Sequence, residues 1–445
     1  MSARFVIKTI AAASLLVLAQ SSQAQRLSAV LQDLMQSSPR VHAAASDQAA
    51  AEERAKETFR RSWTPQLDVS LEGGSQKYDS PNTVNPEYKD VTRTSLRATQ
   101  LIYDFGRASA MTNEADAVVK QSGASYAAAS EGVLLDALTA HWTVVRANKV
   151  LAYARQSEAS VLKQTKLESS MVELGKGYES NVLQAKVQLA TAEARRIRAE
   201  GALSIAEARV KAVYGERAKD VAFDEVAQPK AAALPASLDE ARQMALDHNK
   251  QLQIGAYRSA ALQERVDSTR AKEYLPRVQV YGEAARRKDM DGVTGSVDDR
   301  KIMFQLQYGF NLGMAGSSSV DAVRKDLIAS RDRENDTREL VLEQVTIAWR
   351  NLLVARSNRD ILQNQVNIAA KFLEMASAER QLGRRSLLDV LSAEMSLINA
   401  QSDLAATEAD HAIAGLTLLQ AVGRLSVDAV EFQPASTTVA VADKN

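Results

Sequence analysis

The chain of 445 residues contains no cysteine. Disulfides, thiol nucleophiles and cysteine-ligated metals are thereby excluded, and a lipid anchor carried by an N-terminal cysteine is not expected. Proline is scarce, at 8 residues, and aromatic side chains make up only 5%. That composition is poor for one large globular core and suited to long, closely packed helices. Net charge is also absent, with 55 Lys and Arg against 55 Asp and Glu, so nothing points to nucleic acid or a strongly acidic partner. No apolar run reaches the roughly 20 residues that a spanning helix requires. The histidines, His42, His141, His248 and His411, are scattered without an i,i+4 pair, which leaves no metal motif. There is no phosphate-binding glycine loop and no nucleophile elbow. Carboxylates sit on charged stretches such as Arg331 to Glu343, the pattern of solvated helix faces. No catalytic centre, metal or cofactor is expected.

The N-terminus reads as an export signal. Arg4 and Lys8 precede a short apolar core, Ile10 to Leu18, and Ser22-Gln23-Ala24 supplies small residues for cleavage before Gln25. An exported chain without a spanning helix is either soluble or part of an outer-membrane barrel, and the strands must decide.

An internal repeat organises the rest. Trp63-Thr64-Pro65-Gln66 matches Tyr274-Leu275-Pro276-Arg277, and Trp142 matches Trp349. Leu174-Gly175 matches Leu382-Gly383, and Val213-Tyr214-Gly215 matches Ala421-Val422-Gly423. The markers keep one order at a spacing of about 210 residues, the signature of a tandem duplication. The reading divides the chain into a signal peptide (1–24), a first repeat (25–215), a linker (216–237), a second repeat (238–423) and a tail (424–445).

Each repeat begins with a helix, about Leu27 to Arg61 and Leu238 to Lys272, and then a polar segment marked by proline and glycine. A long proline-free helix follows, Ala108 to about Leu174 and Ser319 to about Leu382, then a glycine turn and another helix. Such a helix is roughly 100 Å long at 1.5 Å per residue, a length typical of coiled coils and helical barrels. Leu391, Met395, Ile398, Ser402, Ala405, Ala409, Ala412, Leu416 and Leu419 form a heptad seam. The corresponding seam in the first repeat is Leu183, Val187, Ala190, Ala194, Ile197, Gly201, Ser204 and Ala208.

Between each proline and each long helix the period changes to two. Leu67, Val69 and Leu71 alternate with polar residues. Ile302, Phe304, Leu306, Tyr308, Phe310 and Leu312 alternate with Met303, Gln305, Gln307, Gly309 and Asn311, mostly uncharged. Thr94 to Tyr103 and Arg277 to Glu283 are weaker strands. Loops are expected at Gly73 to Asp90 and Ala285 to Arg300, and Trp63, Tyr103, Phe105 and Tyr274 stand where an aromatic girdle would lie. Four strands cannot span a bilayer, because open edges leave backbone groups unpaired in hydrocarbon. A trimer would supply about twelve strands.

The duplicated Pro65 and Pro276, the run Gln100-Leu101-Ile102-Tyr103-Asp104-Phe105-Gly106 and the turn from Gly383 to Ala393 together resemble the TolC-like outer-membrane efflux protein family over about Leu27 to Leu425. The resemblance implies a mainly α fold with a small β-barrel part. Tandem long helical hairpins would form a trimeric α-barrel, and the four strands of each chain would join a trimeric outer-membrane β-barrel. It implies an outer-membrane location with a periplasmic tunnel, and an equatorial collar from Glu216 to Ser237 and the tail. Its partners would be sister copies, outer-membrane lipid, a periplasmic adaptor, and an inner-membrane ABC transporter or proton-driven pump. The role implied is passive export of proteins (type I secretion) or small molecules. Carried over by position, the periplasmic gate comprises Arg385, Asp389, Ser180, Asn181 and Ser392, although Asn181 and Ser392 replace common aspartates. Adaptor-docking turns comprise Gly175, Gly383, Leu387, Val390 and Leu391. The lipid-facing strand residues are Ile302, Phe304, Leu306, Tyr308 and Phe310. A secreted coiled-coil filament protein and a periplasmic adaptor are the competing classes. The first leaves the duplicated hairpin unexplained, and the second has one helical hairpin where this chain has two.

Overall fold

The structure is a computed structural model that describes residues 27–79, 87–219, 221, 223, 225–309 and 312–434. The expected signal peptide, Asn82 and Asn85 of the first loop, Phe310, Asn311 and the tail beyond 434 lie outside the described residues. The helices and strands follow the order α1 (27–37), α2 (Pro39–Trp63), β1 (Gln66–Lys77), β2 (Tyr88–Tyr103), α3 (Arg107–Glu173), α4 (Glu179–Tyr214) and β3 (Glu225–Pro229). They continue with α5 (Leu238–His248), α6 (Lys250–Tyr274), β4 (Arg277–Lys288), β5 (Ser296–Gln307), α7 (Ala315–Gln381), α8 (Leu387–Ala421) and β6 (Val430–Pro434). The series α2-β1-β2-α3-α4 recurs as α6-β4-β5-α7-α8.

Each lead-in helix is broken where the sequence pattern suggests one continuous helix. Pro39 opens α2, because its ring cannot donate to the preceding turn. Asn249 takes an extended conformation between α5 and α6, and its Nδ2 donates to the Ala421 carbonyl at 2.8 Å. The strands differ too. The β1 strand reaches Lys77 and β4 reaches Lys288, while β5 spans Ser296 to Gln307. The strands therefore run into both expected loops, the second shrinking to 289–295, and Tyr308 falls just past β5. Ion pairs across the β4–β5 hairpin explain the added length there. Arg286 faces Asp298 in register and donates to it at 2.9 Å, and Arg287 lies 3.7 Å from Asp299. Opposite charges placed cross-strand stabilise a sheet that composition alone would read as loop.

Two compact units are present, one of 43–126 and 251–338, the other of the remaining described segments. The first holds an antiparallel sheet in the order β1-β2-β4-β5. Register puts Leu67, Val69 and Leu71 beside Ala98, Leu96 and Thr94, then Gly282 and Val280 beside Ile302 and Phe304. That face is apolar and open, with Ile302 and Phe304 exposed by 79% and 78%. The opposite face carries polar contacts such as Ser70 to Ser95 at 2.7 Å and Gln279 to Gln305 at 2.8 Å. Among the described residues β1 and β5 each pair on one side only.

The second unit is held by a core of Leu27 and Leu31 from α1, Leu134, Leu138 and Trp142 from α3, Tyr214 from α4, and Leu416 and Leu419 from α8. Burial leaves the polar ends of the aromatics needing partners, and they have them. Trp142 Nε1 donates to the Ala227 carbonyl at 2.7 Å and Tyr214 Oη to the Ala137 carbonyl at 3.0 Å. Linker strand β3 pairs antiparallel with tail strand β6. Most of the α8 seam is buried, from Leu391 through Ile398, Ala405 and Ala409 to Leu419. The first-repeat seam is different. The residues of α4 that pack inside are Val182, Ala185, Ala192, Ala199, Ala206, Val210 and Tyr214, and the expected Leu183, Val187 and Ile197 face outward.

Helices α3, α7 and α8 end alike. Gly175, Gly383 and Gly423 have positive φ, and each following residue donates back to the fifth residue before it, as Arg424 does to Leu419. This is the Schellman closure, which satisfies the last carbonyls. At Gly423 space is also limiting, since a Cβ would lie 2.3 Å from the His248 carbonyl oxygen. Gly383 has nothing within 4 Å, so Gly383→Ala should cost only the left-handed penalty of roughly 1–2 kcal/mol. Gly423→Ala must also displace backbone, and thermal denaturation of the purified protein should show the larger loss there. Equal melting shifts for the two variants would contradict this packing.

Candidate functional site

No helix among the described residues is long and apolar enough to cross a membrane, and none of their acidic, histidine or cysteine groupings could hold a metal ion. The features with functional potential are the open sheet, the helix-ending turns and the exposed helix stripes.

On the polar face of the sheet, one row crosses all the strands. Asp68 faces Arg97, Arg97 faces Glu283, and Glu283 faces Lys301, so charge alternates along it. Glu283 is the centre, with its side chain only 3% exposed and contacts to Arg97 at 2.6 Å, Arg93 at 3.1 Å and Lys301 at 3.5 Å. The Arg97 guanidinium also lies 4.4 Å from the centre of the Tyr281 ring. A buried carboxylate demands such compensation. The mostly uncharged polar face expected from Gln305 and Gln307 is thus charged closer to the loops. The signal was available in the alternation of Arg93, Ser95 and Arg97 with Thr94 and Leu96.

The two turns are built differently, since Tyr178 ahead of α4 makes no side-chain cap. Ser386 caps α8, its Oγ accepting from the Asp389 N–H at 3.2 Å. Arg385 is tied back to α7, with Nε donating to Glu379 Oε2 at 2.6 Å and its guanidinium 5.3 Å from the Phe372 ring centre. Arg385 is thus paired with Glu379 and not with Asp389, four residues on. Asp389 is exposed and has no ion-pair partner among the described residues, and Ser180 and Ser392 are exposed while Asn181 is half-buried. Gly175 and Gly383 are exposed at their turns. Leu387, Val390 and Leu391 are not surface residues. They are 5%, 3% and 2% exposed and pack against Val161, Ala185, Ala376 and Ala393 of the same chain. The apolar side chains open to a partner at the turns are instead Leu174, Tyr178, Leu382 and Leu388.

Two carboxylates near this end escaped the sequence reading. Glu168 of α3 is buried and accepts from Arg380 of α7. Glu394 of α8 is 6% exposed, its Oε2 has no hydrogen-bond partner, and the nearly buried Ser157 hydroxyl is likewise unpartnered. Burial pushes the Glu394 carboxyl above its usual range, more than a bond with Ser160 lowers it. Both acids could have been found as charges on apolar seams, Glu394 falling between Leu391 and Ile398 at seam spacing.

Exposed apolar stripes run along α7 and α4. On α7, Leu340, Ile347, Val354, Ile361, Ile368 and Met375 recur every seventh residue, and all are exposed. On α4, Leu183, Val187, Ile197 and Ile205 form a second exposed stripe. Single apolar side chains on a surface are ordinary, but contiguous rows mark interfaces.

The family profile described as outer membrane efflux protein matches residues 30–216 and 241–424. Outer membrane protein TolC of Escherichia coli is 23% identical over 429 residues, 91% of this chain and 83% of that protein. Outer membrane efflux protein BepC of Brucella suis is 24% identical over 386 residues, covering 83% and 82%. Among solved structures, the outer membrane protein VceC of Vibrio cholerae superposes with a TM-score of 0.74 at 18% identity, covering 90% of this chain and 97% of that one.

The Glu394 environment generates a pH test. Because burial raises its folded-state pKa above the ordinary carboxylate value of 4.5, folding favours the neutral acid, so the stability it contributes is complete below 4.5 and becomes a cost as pH rises through the raised value. Glu394→Gln should therefore stabilise the protein at pH 8 by roughly 1–2 kcal/mol, the scale of one unsatisfied buried group, with little effect at pH 4. Melting curves at the two pH values check this, and a gain of the same size at both would refute it.

Proposed function

Because this chain belongs to the outer membrane efflux protein family, we propose that it forms the exit duct of a tripartite export system, as a homotrimer docked to a periplasmic adaptor and an inner-membrane pump. The protein is an outer-membrane efflux channel with a periplasmic helical tunnel, and members of its family are channels rather than enzymes. The observation that carries the trimer is the sheet with unpaired β1 and β5 edges and an apolar outer face. Hydrocarbon offers no partner for those edges. Three copies joined β5 to β1 would close about twelve strands and leave none free. The two repeats, 25–215 and 238–423, would then act as paired units around the linker, with the β3–β6 sheet at the equator. The exposed stripes on α7 and α4 support side-by-side packing of copies, since the described residues leave both uncovered.

At the periplasmic end, Asp389 is the gate residue best placed to reach a neighbouring copy, because its carboxylate has no ion-pair partner among the described residues. Ser180, Asn181 and Ser392 contribute neutral contacts, and Arg385 holds the turn through Glu379. Gly175 and Gly383 set the turns that an adaptor would meet, with Leu174, Tyr178, Leu382 and Leu388 as the apolar contacts and Leu387, Val390 and Leu391 as their internal support. Cargo is either protein, through type I secretion, or small molecules. The Tyr103-Asp104-Phe105-Gly106-Arg107 junction favours the first by its resemblance to members serving protein secretion.

Position parity tests the barrel. Phe304→Arg or Leu306→Arg on the outer face should cost about 2–4 kcal/mol at the bilayer midplane and lower the yield of detergent-resistant trimer, whereas Gln305→Arg should be mild. Equal losses at odd and even positions would remove the membrane assignment. For the gate, the double variant Arg385→Ser with Asp389→Ser should raise single-channel conductance in planar bilayers, and Ser180→Ala should change it less. Wild-type conductance from correctly assembled trimers of the double variant would show that the closure lies elsewhere.

A further inference from the structure

We propose that a cavity on the polar face of the sheet, where the strands meet the helices, is a binding site for small oxyanions carrying two or more charges. The cavity, of about 580 Å³, is lined by Arg54 and Arg61 of α2, Arg107 of α3 and Arg277 of β4, against two carboxylates, Glu57 and Asp104. Its size is that of an ordinary small-molecule pocket. Both acids are already committed. Asp104 is buried and caps α3, its Oδ2 accepting the Ala108 N–H at 2.7 Å, and Glu57 accepts from Arg61 at 2.8 Å. Arg54 and Arg107 have no ion-pair partner among the described residues, and Arg277 has only the neutral Gln307, to which its Nε donates at 2.9 Å.

Three guanidinium groups without an ion-pair partner thus line one concave space against the single unpaired carboxylate of Asp104, a net local excess of positive charge. A chain with 55 cations and 55 anions overall has concentrated a local excess here. Mutual repulsion makes this arrangement costly when empty and favourable when an oxyanion fills it, because guanidinium groups bind carboxylate and phosphate with strong, bidentate hydrogen bonds. The excess continues on the same face. Gln279 lines the cavity, and two and four residues along β4 stand Tyr281 and Glu283, the latter a single carboxylate shared by Arg93, Arg97 and Lys301. In the proposed channel, on which the transport role but not the binding rests, this is the pore side, so the exit would favour anionic solutes.

The test uses inorganic pyrophosphate and the full-length protein in detergent. Titration calorimetry at low ionic strength should show binding to wild type that weakens about tenfold or more in Arg54→Gln with Arg277→Gln. Lys120→Gln, an exposed charge elsewhere on α3, should bind as wild type does. Equal binding by all three proteins, or binding by none, overturns the site. In planar bilayers pyrophosphate should reduce the current of wild type and not of the arginine double variant. Binding that follows this pattern in a protein that never conducts would sink the channel reading and leave the site standing. A conducting protein that binds pyrophosphate no better than the double variant would do the reverse.

Discussion

Everything in this structure follows from the requirement that backbone N–H and C=O groups be paired wherever water is absent. A single chain cannot meet it. The strands satisfy one another inside the sheet, but the outer edges of β1 and β5 do not close on each other. The duplication follows the same logic. One hairpin would need many copies to complete a barrel, whereas two fused hairpins, β1-β2 and β4-β5, join at β2 and β4 within one chain. The helices obey a parallel constraint of apolar burial. Seam residues of α8 are covered internally, and the rows on α7 and α4 are left for a neighbour.

The duplicated halves have diverged according to what each must cover. Trp142 is 2% exposed and hydrogen-bonded under strand β3, while its counterpart Trp349 is only half-buried. At the strand–helix junctions the halves remain close, since Phe105 and Met314 adopt nearly the same left-handed backbone, φ 55 and φ 54. Neither is glycine, so the conformation is held by its surroundings. Tyr103 packs edge-on against Phe105 at 4.7 Å between ring centres. Such aromatic pairs suit a membrane interface, where one side of a ring is wet and the other apolar.

The architecture was legible because it is written in periods. Heptads and alternation are local signals, and the repeat of proline, tryptophan and glycine markers gives the order of elements. The misreadings share one cause, which is that contacts between distant residues are invisible to a period. The strand end at Lys288 depends on cross-strand charge pairs. The breaks before Pro39 and at Asn249 depend on what lies beside the helices. The packed α4 seam differs from the expected one because alanine spacing fits two adjacent faces equally well, and only the packed partner shows that Ala185, Ala192 and Ala199 face inward. Of the site, the turns and their glycines were readable, but the internal burial of Leu387, Val390 and Leu391 was not. An apolar residue beside a turn has the same sequence signature whether it meets its own chain or another.

The strand order has a mechanical consequence. In the proposed assembly the barrel contains two chemically different joints that alternate around its circumference. The β2–β4 joint lies within a chain and carries the Glu283 charge cluster across it. The β5–β1 joint lies between chains and is made of strands that no covalent linkage holds in register. Under lateral tension or in harsh detergent the wall would therefore unzip along the second kind of joint first, releasing whole four-stranded staves rather than single strands.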